Sequence, residues 1–516
     1  MKRRHRARLA AGILAAGLLL TGCGAGENSR QSADGRGGGH RAPDARQDAS
    51  PDARQDDAPE GEQRSRPPAD WLSTFALDVD TASYGYARRT LSEGRLPDPT
   101  SVRPEEFVNS FRPDYPRPEG DGFSVTIDGA RTGDDGWSLV RVGLATAAAD
   151  RKGERPPAAL TFVVDISGSM AETGRLDLVK ESLGILTDEL RDDDSVALVT
   201  FSNEAETRLP MTKVKGQRER IHGIVDELRT TSSTNVEAGV RTGYDVAVEG
   251  HRKGATNRVV LLSDALANTG DTDAQSILDR IDKERREYGI TLFGVGVGSD
   301  YGDAFMEQLA DKGDGHTTYV STIEQARKVF VDQLPTNIEL RARDAKAQVA
   351  FDPKTVERFR LIGYENREVA DEDFRNDKVD GGEVGAGHTV TALYAVKTRS
   401  GSTGPLATAT VRWLDPKNRA PHENTGSVGT SALTSSLWAP GHDSLQLTAV
   451  TAYFADRLRG GDMPGAPRLT ELAERSEAIA QRSGSKVVRE LTEAIRQADK
   501  LLVRDGGAES GDPYSG

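Results

Sequence analysis

Hydrophobic positions divide this chain into stretches of unlike period. After an unbroken apolar run at Leu9–Leu20, residues Gly24 to about Asp70 carry almost none and are rich in Gly, Pro, Asp, Arg and Gln. Such a composition cannot build a core, so 23–70 reads as a disordered tether. Its direct repeat, Pro43–Asp48 and Pro51–Asp56, is far shorter than any solenoid unit. Order begins at Trp71. Phe75–Asp80 reads as a short strand, Ser83–Glu93 as a helix stopped by Gly94 and Pro97, and Pro104–Phe111 as a second helix. Phe123–Ile127 and Trp137–Leu144 read as strands joined by the turn Gly133–Gly136.

From Leu160 the period alternates between strand and helix. Leu160–Asp165, Val196–Phe201, Val259–Leu262, Ile290–Val295 and Thr317–Val320 are short apolar runs, and Glu206–Met211 is expected as an antiparallel partner. Between them Leu176–Leu190, Ile221–Leu228, Val236–Val248, Ile277–Tyr288, Phe305–Lys312 and Ile323–Leu334 have helical spacing. This alternation predicts an α/β doubly wound domain over 158–337, with helices on both faces of a parallel sheet. Lys346–Phe351, Val356–Tyr364, Thr389–Lys397 and Ala407–Trp413 read as strands of an antiparallel sandwich, with Ser400–Gly404 and Asn418–Thr430 as loops. The expectation is that 71–157 and 338–440 make one β-domain into which the doubly wound domain is inserted. Leu445–Leu458, Leu469–Arg482 and Lys486–Val503 form a helical segment over 441–505, and 506–516 is a polar tail.

The candidate chemistry starts at Leu160–Met170, LTFVVDISGSM. Asp165, Ser167 and Ser169 sit just past the carboxyl end of a buried strand, where open α/β sheets bind ligands. Oxygen-only ligands suit a hard cation such as magnesium. Two more loops join that edge. Thr234 lies in TSSTN before the helix at Val236, and Asp264 ends the strand from Val259. The alternative for each residue is that it caps a helix or turn. The acidic loop with Asp371, Asp373, Asn376, Asp377, Asp380 and Glu383 suggests calcium, but Arg375 and Asn376 break the EF-hand alternation, and a solvated loop is expected. Gly294–Gly298 follows a strand without completing G-x-G-x-x-G.

Charge and composition narrow the class. A formal charge of −14 argues against a nucleic-acid partner. The single cysteine, Cys23, excludes internal disulfides and multi-cysteine metal sites. No His-Glu pair has zinc spacing, no G-x-S-x-G elbow occurs, and His222 and His316 read as lone histidines, so no enzyme is expected. The basic head Lys2–Arg8 and the 12-residue apolar run form a signal peptide over 1–22, too short to span a membrane.

Leu20-Thr21-Gly22-Cys23 resembles the bacterial lipobox, which implies a diacylglyceryl anchor on Cys23 and an extracytoplasmic protein held at the cell membrane. Arg3-Arg4 leaves the export route open. Without the five basic leader residues the charge is −19, so anionic lipid is not what attracts it. Asp165, Ser167, Ser169, Thr234 and Asp264 together resemble the metal-ion-dependent adhesion site (MIDAS) of von Willebrand factor type A domains. That resemblance implies Mg2+, with Mn2+ or Ca2+ as alternatives. The serines would bind it directly, Thr234 directly or through water, and the aspartates mostly through water. One position would be left for an acidic residue of a protein partner. Ser233 and Ala265 stand where glycine is common in relatives. FALDVDTASYGYARRTLSEGRLP (Phe75–Pro97) and the block Arg360–Tyr394 resemble the flanks of the type A domain in YfbK-like bacterial lipoproteins. An envelope scaffold with a structural cation and a metal-dependent hydrolase are the other readings.

Overall fold

The computed structural model describes residues 71–508 except 121, 134–135, 149–154, 173, 265–272, 274–275, 280, 282–286, 299–305, 307–308, 310–315 and 334–338. The leader with Cys23, the tether, most of the tail, Ala265 and much of the two helices expected over 277–288 and 305–312 lie outside the described residues.

Three sheets organise the rest. Strands β4 (Ala158–Asp165), β5 (Ser195–Phe201), β6 (Ala205–Lys213), β7 (Thr256–Ser263), β8 (Thr291–Val297) and β9 (His316–Val320) form one sheet in the order β6-β5-β4-β7-β8-β9. All pairs are parallel except β5–β6, the antiparallel partner that was expected. Every residue of β4 and β5 is buried, as a strand covered on both faces requires. Helices α3 (Arg175–Glu189), α4 (Arg218–Asp226) and α6 (Ile323–Arg327, continued as a π-turn over Lys328–Gln333) lie on one face. Helix α5 (Val236–Glu249) lies on the other. The chain leaves β4 for β5 on one side and returns to β7 on the other. The switch point therefore falls between β4 and β7.

The flanking segments do form one sandwich. β1 (Leu72–Ala76), β10 (Leu340–Phe351), β12 (Gly382–Gly385), β14 (Pro405–Leu414) and β15 (Pro421–Gly429) make one sheet. β2 (Phe123–Arg131), β3 (Trp137–Thr146), β11 (Val356–Ile362) and β13 (Thr389–Thr398) make the other. β3 pairs with β13 across the whole inserted domain, from Trp137↔Lys397 to Ala145↔Thr389. Phe75, Val142, Val349, Tyr394 and Val411 meet between the sheets. The opposite face of β3 and β13 is covered by helices α1 (Ala82–Ser92), α2 (Pro104–Asn109), α7 (Asp443–Leu458), α8 (Leu469–Ser483) and α9 (Lys486–Ala508). No described helix is long and apolar enough to cross a membrane.

Two strand expectations are corrected. Asn418–Thr430 is not a loop: β15 runs Pro421–Gly429 as an edge strand whose first five residues are exposed, so no apolar alternation marks it. Of Phe75–Asp80 only Phe75 and Ala76 are strand, because β1 runs Leu72–Ala76, and Asp78 and Asp80 beyond it are buried acids.

Candidate metal centre

Asp165 ends β4 and Ser263 ends β7, and the two strands lie side by side, with Val164 paired to Leu262. Beyond Asp165 the backbone turns at once. Asp165 Oδ1 accepts the Ser167 N–H at 2.8 Å, and Oδ2 accepts the Ser263 hydroxyl at 2.5 Å. Ser167 precedes a 3-10 turn, Gly168–Ala171, but its side chain makes no capping bond there. Its Oγ lies 3.1 Å from Ser169 Oγ. Adjacent ligands of an octahedral magnesium ion, each about 2.1 Å from the metal, lie about 3.0 Å apart. The two hydroxyls are thus spaced as neighbours on one cation, a distance that also suits a hydrogen bond.

The third loop is pinned to the first. The Thr231 N–H donates to the Ile166 carbonyl at 2.7 Å, and the Asn235 N–H donates to the Ser202 carbonyl at 2.7 Å. Asn235, not Thr234, caps α5, its Oδ1 accepting the Ala238 N–H at 3.0 Å. Thr234 is buried one residue before that cap. Ser233 holds φ at 67°, a left-handed conformation that favours glycine. This explains why glycine suits the position, and the serine there carries backbone strain.

Asp264 is buried at the end of β7, and its Oδ2 accepts a bond of 2.8 Å from Arg175 Nη1. The same nitrogen donates to the Ser169 carbonyl at 3.2 Å. Burial pushes the Asp165 carboxyl up to about 6; the bonds from Ser167 and Ser263 oppose that rise and the nearby Asp264 charge adds to it. The structure thus brings Asp165, Ser167, Ser169 and Asp264 together directly or through Arg175, with the loop carrying Thr234 tied alongside. The oxygen-only donor set fits a hard divalent cation. Among the described residues no three His, Cys, Asp or Glu side chains gather as a metal site. A cation at this edge therefore depends on the hydroxyls.

Sequence reasoning missed Ser263 and Arg175. Arg175 had one legible signal, a basic residue in the first turn of a helix, where the dipole disfavours it unless acids stand near. The residues of the other motifs find protein partners. In the acidic loop Arg375 forks onto Glu423 at 2.8 and 2.9 Å, and Arg412 Nη2 meets Asp377 at 2.8 Å. Lys346 Nζ donates to the Asn376 carbonyl at 2.7 Å, so a protein ammonium stands inside the loop. Gly294 and Gly296 lie within β8, and Gly298 leaves it at φ 96°. His222 makes a surface pair with Asp188 at 2.9 Å, and the His316 side chain lies outside the description.

Comparison with known proteins agrees with this architecture. Residues 159–332 match the von Willebrand factor type A domain, 337–501 match a family described as uncharacterized protein YfbK, C-terminal, and 56–137 match one described as von Willebrand factor. Uncharacterized protein YfbK of Escherichia coli (strain K12) is 36% identical over 416 residues, 76% of this chain and 72% of that protein. Inter-alpha-trypsin inhibitor heavy chain H3 of Homo sapiens is 27% identical over 187 residues, which span 34% of this chain and only 19% of that protein. A solved von Willebrand factor type A structure from Catenulispora acidiphila covers 73% of this chain and 95% of its own, with a TM-score of 0.46 and 14% identity. The match to the E. coli protein, taken with the family match that continues past the inserted domain, shows that this chain belongs to the YfbK family of von Willebrand factor type A domain proteins.

Proposed function

We propose that this protein is a lipid-anchored binding module on the extracytoplasmic face of the membrane, which captures an acidic residue of a protein partner through a divalent cation. The observation that carries the reading is the pair of hydroxyls, Ser167 Oγ and Ser169 Oγ, 3.1 Å apart beside buried Asp165 and Asp264. Ser167 and Ser169 would hold the cation directly and Thr234 would complete the hydroxyl set, with Mg2+ the favoured ion. Few charged ligands would leave that ion electrophilic toward a partner carboxylate. The anchor rests on Cys23 and its leader, and the tether would lift the folded part off the membrane.

Calorimetry and a pull-down from solubilised membranes test this together. The wild type should bind Mg2+ or Mn2+ at one site and capture its partner only with the metal present. Ser167→Ala combined with Ser169→Ala should lose both while melting within about 1 kcal/mol of the wild type. Loss of folding in that variant would favour a structural cation in an envelope scaffold. Identical partner lists would sink the adhesion reading, and wild-type protein in the soluble fraction would sink the anchor.

A further inference from the structure

Arg175 stands outside the five candidate ligands, yet its guanidinium reaches two of their loops. Only 3% of it is exposed. Nη1 bridges Asp264 Oδ2 at 2.8 Å and the Ser169 carbonyl at 3.2 Å, while Nη2 reaches outward to Glu172 Oε2 at 2.8 Å. The residue is the first of α3, so its charge also faces the positive end of that helix. Placing a cation there is unfavourable unless something specific requires it.

The wall behind Arg175 is built to hold it. Gly298 has φ 96°, and a Cβ there would lie 2.3 Å from Arg175 Nε, so only a bare backbone admits the guanidinium. The Gly298 carbonyl in turn accepts a bond of 2.6 Å from Arg89 Nη1 on α1, and the Arg89 guanidinium sits 4.5 Å from the centre of the Tyr319 ring. The flanking region thus braces the guanidinium that touches the centre.

We propose that Arg175 is an internal counter-ion that sets how tightly this centre holds a divalent cation. The inference rests on the adhesion-site reading above and deepens it. Asp165 and Asp264 bring two negative charges, and Arg175 offsets one of them at Asp264. The cation is held less tightly than two free carboxylates would hold it. It keeps more of its charge for a carboxylate from outside, which gives Arg175 the role of a positioning and tuning residue. Glu172, whose side chain is 60% exposed, draws the guanidinium the other way and softens the effect.

The test is a titration of the full mature chain with MnCl2 and MgCl2, followed by calorimetry, with thermal melts as the control for folding. Arg175→Gln keeps a hydrogen-bonding side chain and removes the charge. It should bind either ion roughly tenfold more tightly, since a unit charge near a divalent ion is worth about that even at high dielectric. Arg175→Lys should stay within about threefold of the wild type, because the charge is kept. Glu172→Gln removes the outward pull on Nη2, leaving Nη1 on Asp264 and the Ser169 carbonyl, and should weaken binding about two- to threefold, a screened surface effect. A merely structural role for Arg175 would weaken binding on substitution, the opposite sign. Arg175→Gln that folds and binds no more tightly than the wild type overturns the proposal. Should that variant not fold, Glu172→Gln decides, and unchanged affinity there overturns it. A wild type that binds no cation while Arg175→Gln does supports the counter-ion; binding by neither removes the adhesion-site reading itself.

Discussion

The two ends of the parallel sheet bury charge in opposite ways. At the end where the strands begin, acids and bases are matched across the boundary with the sandwich. Arg258, at the start of β7, is fully buried and its Nη2 lies 3.2 Å from Glu383 of β12, with Arg343 3.8 Å from the same carboxylate. Asp80 Oδ1 accepts the Thr317 N–H of β9 at 3.0 Å, and Arg367 lies 3.4 Å from Asp78 and 3.7 Å from Asp80. His388, beside this junction, is driven down to about 3 by burial and then by Arg112, Arg258 and Arg117, so it stays neutral. At the end where the strands finish, hydroxyls and carboxyls converge on one another, and Arg175 reaches them through Asp264. Opposite charges gathered at the boundary with the sandwich serve to dock a domain.

The contrast is broken most sharply at Glu383. Glu383→Ala should cost about 3–5 kcal/mol, because it strands a buried guanidinium. Two of the Arg258 nitrogens, Nε and Nη1, already lack a hydrogen-bond partner among the described residues. Urea unfolding of the full chain measures this, and Arg258→Met added to Glu383→Ala should recover most of the loss. If Glu383→Ala unfolds like the wild type, the lower end is not a docking junction.

The next effect depends on pH. Glu105, in the first turn of α2, is raised to about 7, first by burial and then by the Asp78 charge, with Glu365 adding a little. Its folded value lies above its ordinary one of 4.5. The stability that this proton supports is therefore full below about 4.5 and is lost as pH rises through about 7. Glu105→Gln should melt like the wild type near pH 4.5 and be more stable by about 2–3 kcal/mol at pH 8. Equal melting at pH 8 would place Glu105 in contact with solvent or a base.

Much of this was legible before any coordinates. β4, β5 and β7 announce themselves because strands covered on both faces carry continuous apolar runs, and Asp165 ends one of them with Ser167 and Ser169 just beyond. Insertion was readable because β3 and β13 are likewise apolar on either side of the alternating stretch. β15 was not, since an exposed edge strand needs no hydrophobic partner. β12, four residues with two glycines, carries no periodic signal at all. Arg175 was hidden for a different reason. Its meaning lies in two contacts, at Asp264 and Gly298, that are far apart in the chain. Nor does any spacing reveal that the flanking region reaches the site's own end, where α1 lies beside β9 and Arg89 donates to the Gly298 carbonyl.

The smallest effect separates holders from ligands at the upper end. Asn235 caps α5 through its Oδ1, and its Nδ2 donates to the Asn203 carbonyl at 3.3 Å, so one side chain fixes the loop that carries Thr234. Asn235→Ala removes a cap worth about 1 kcal/mol and leaves every candidate ligand in place. If the upper end is a preorganised oxygen cluster, that loss should appear twice: a melting temperature a few degrees lower and a weaker affinity for Mn2+, because Thr234 is no longer held beside Ser167 and Ser169. Asn235→Asp restores an acceptor for the Ala238 N–H and should rescue both. An Asn235→Ala chain that melts lower but binds Mn2+ as well as the wild type would show that Thr234 takes no part. The site would then shrink to the two serines and the two aspartates at the ends of β4 and β7.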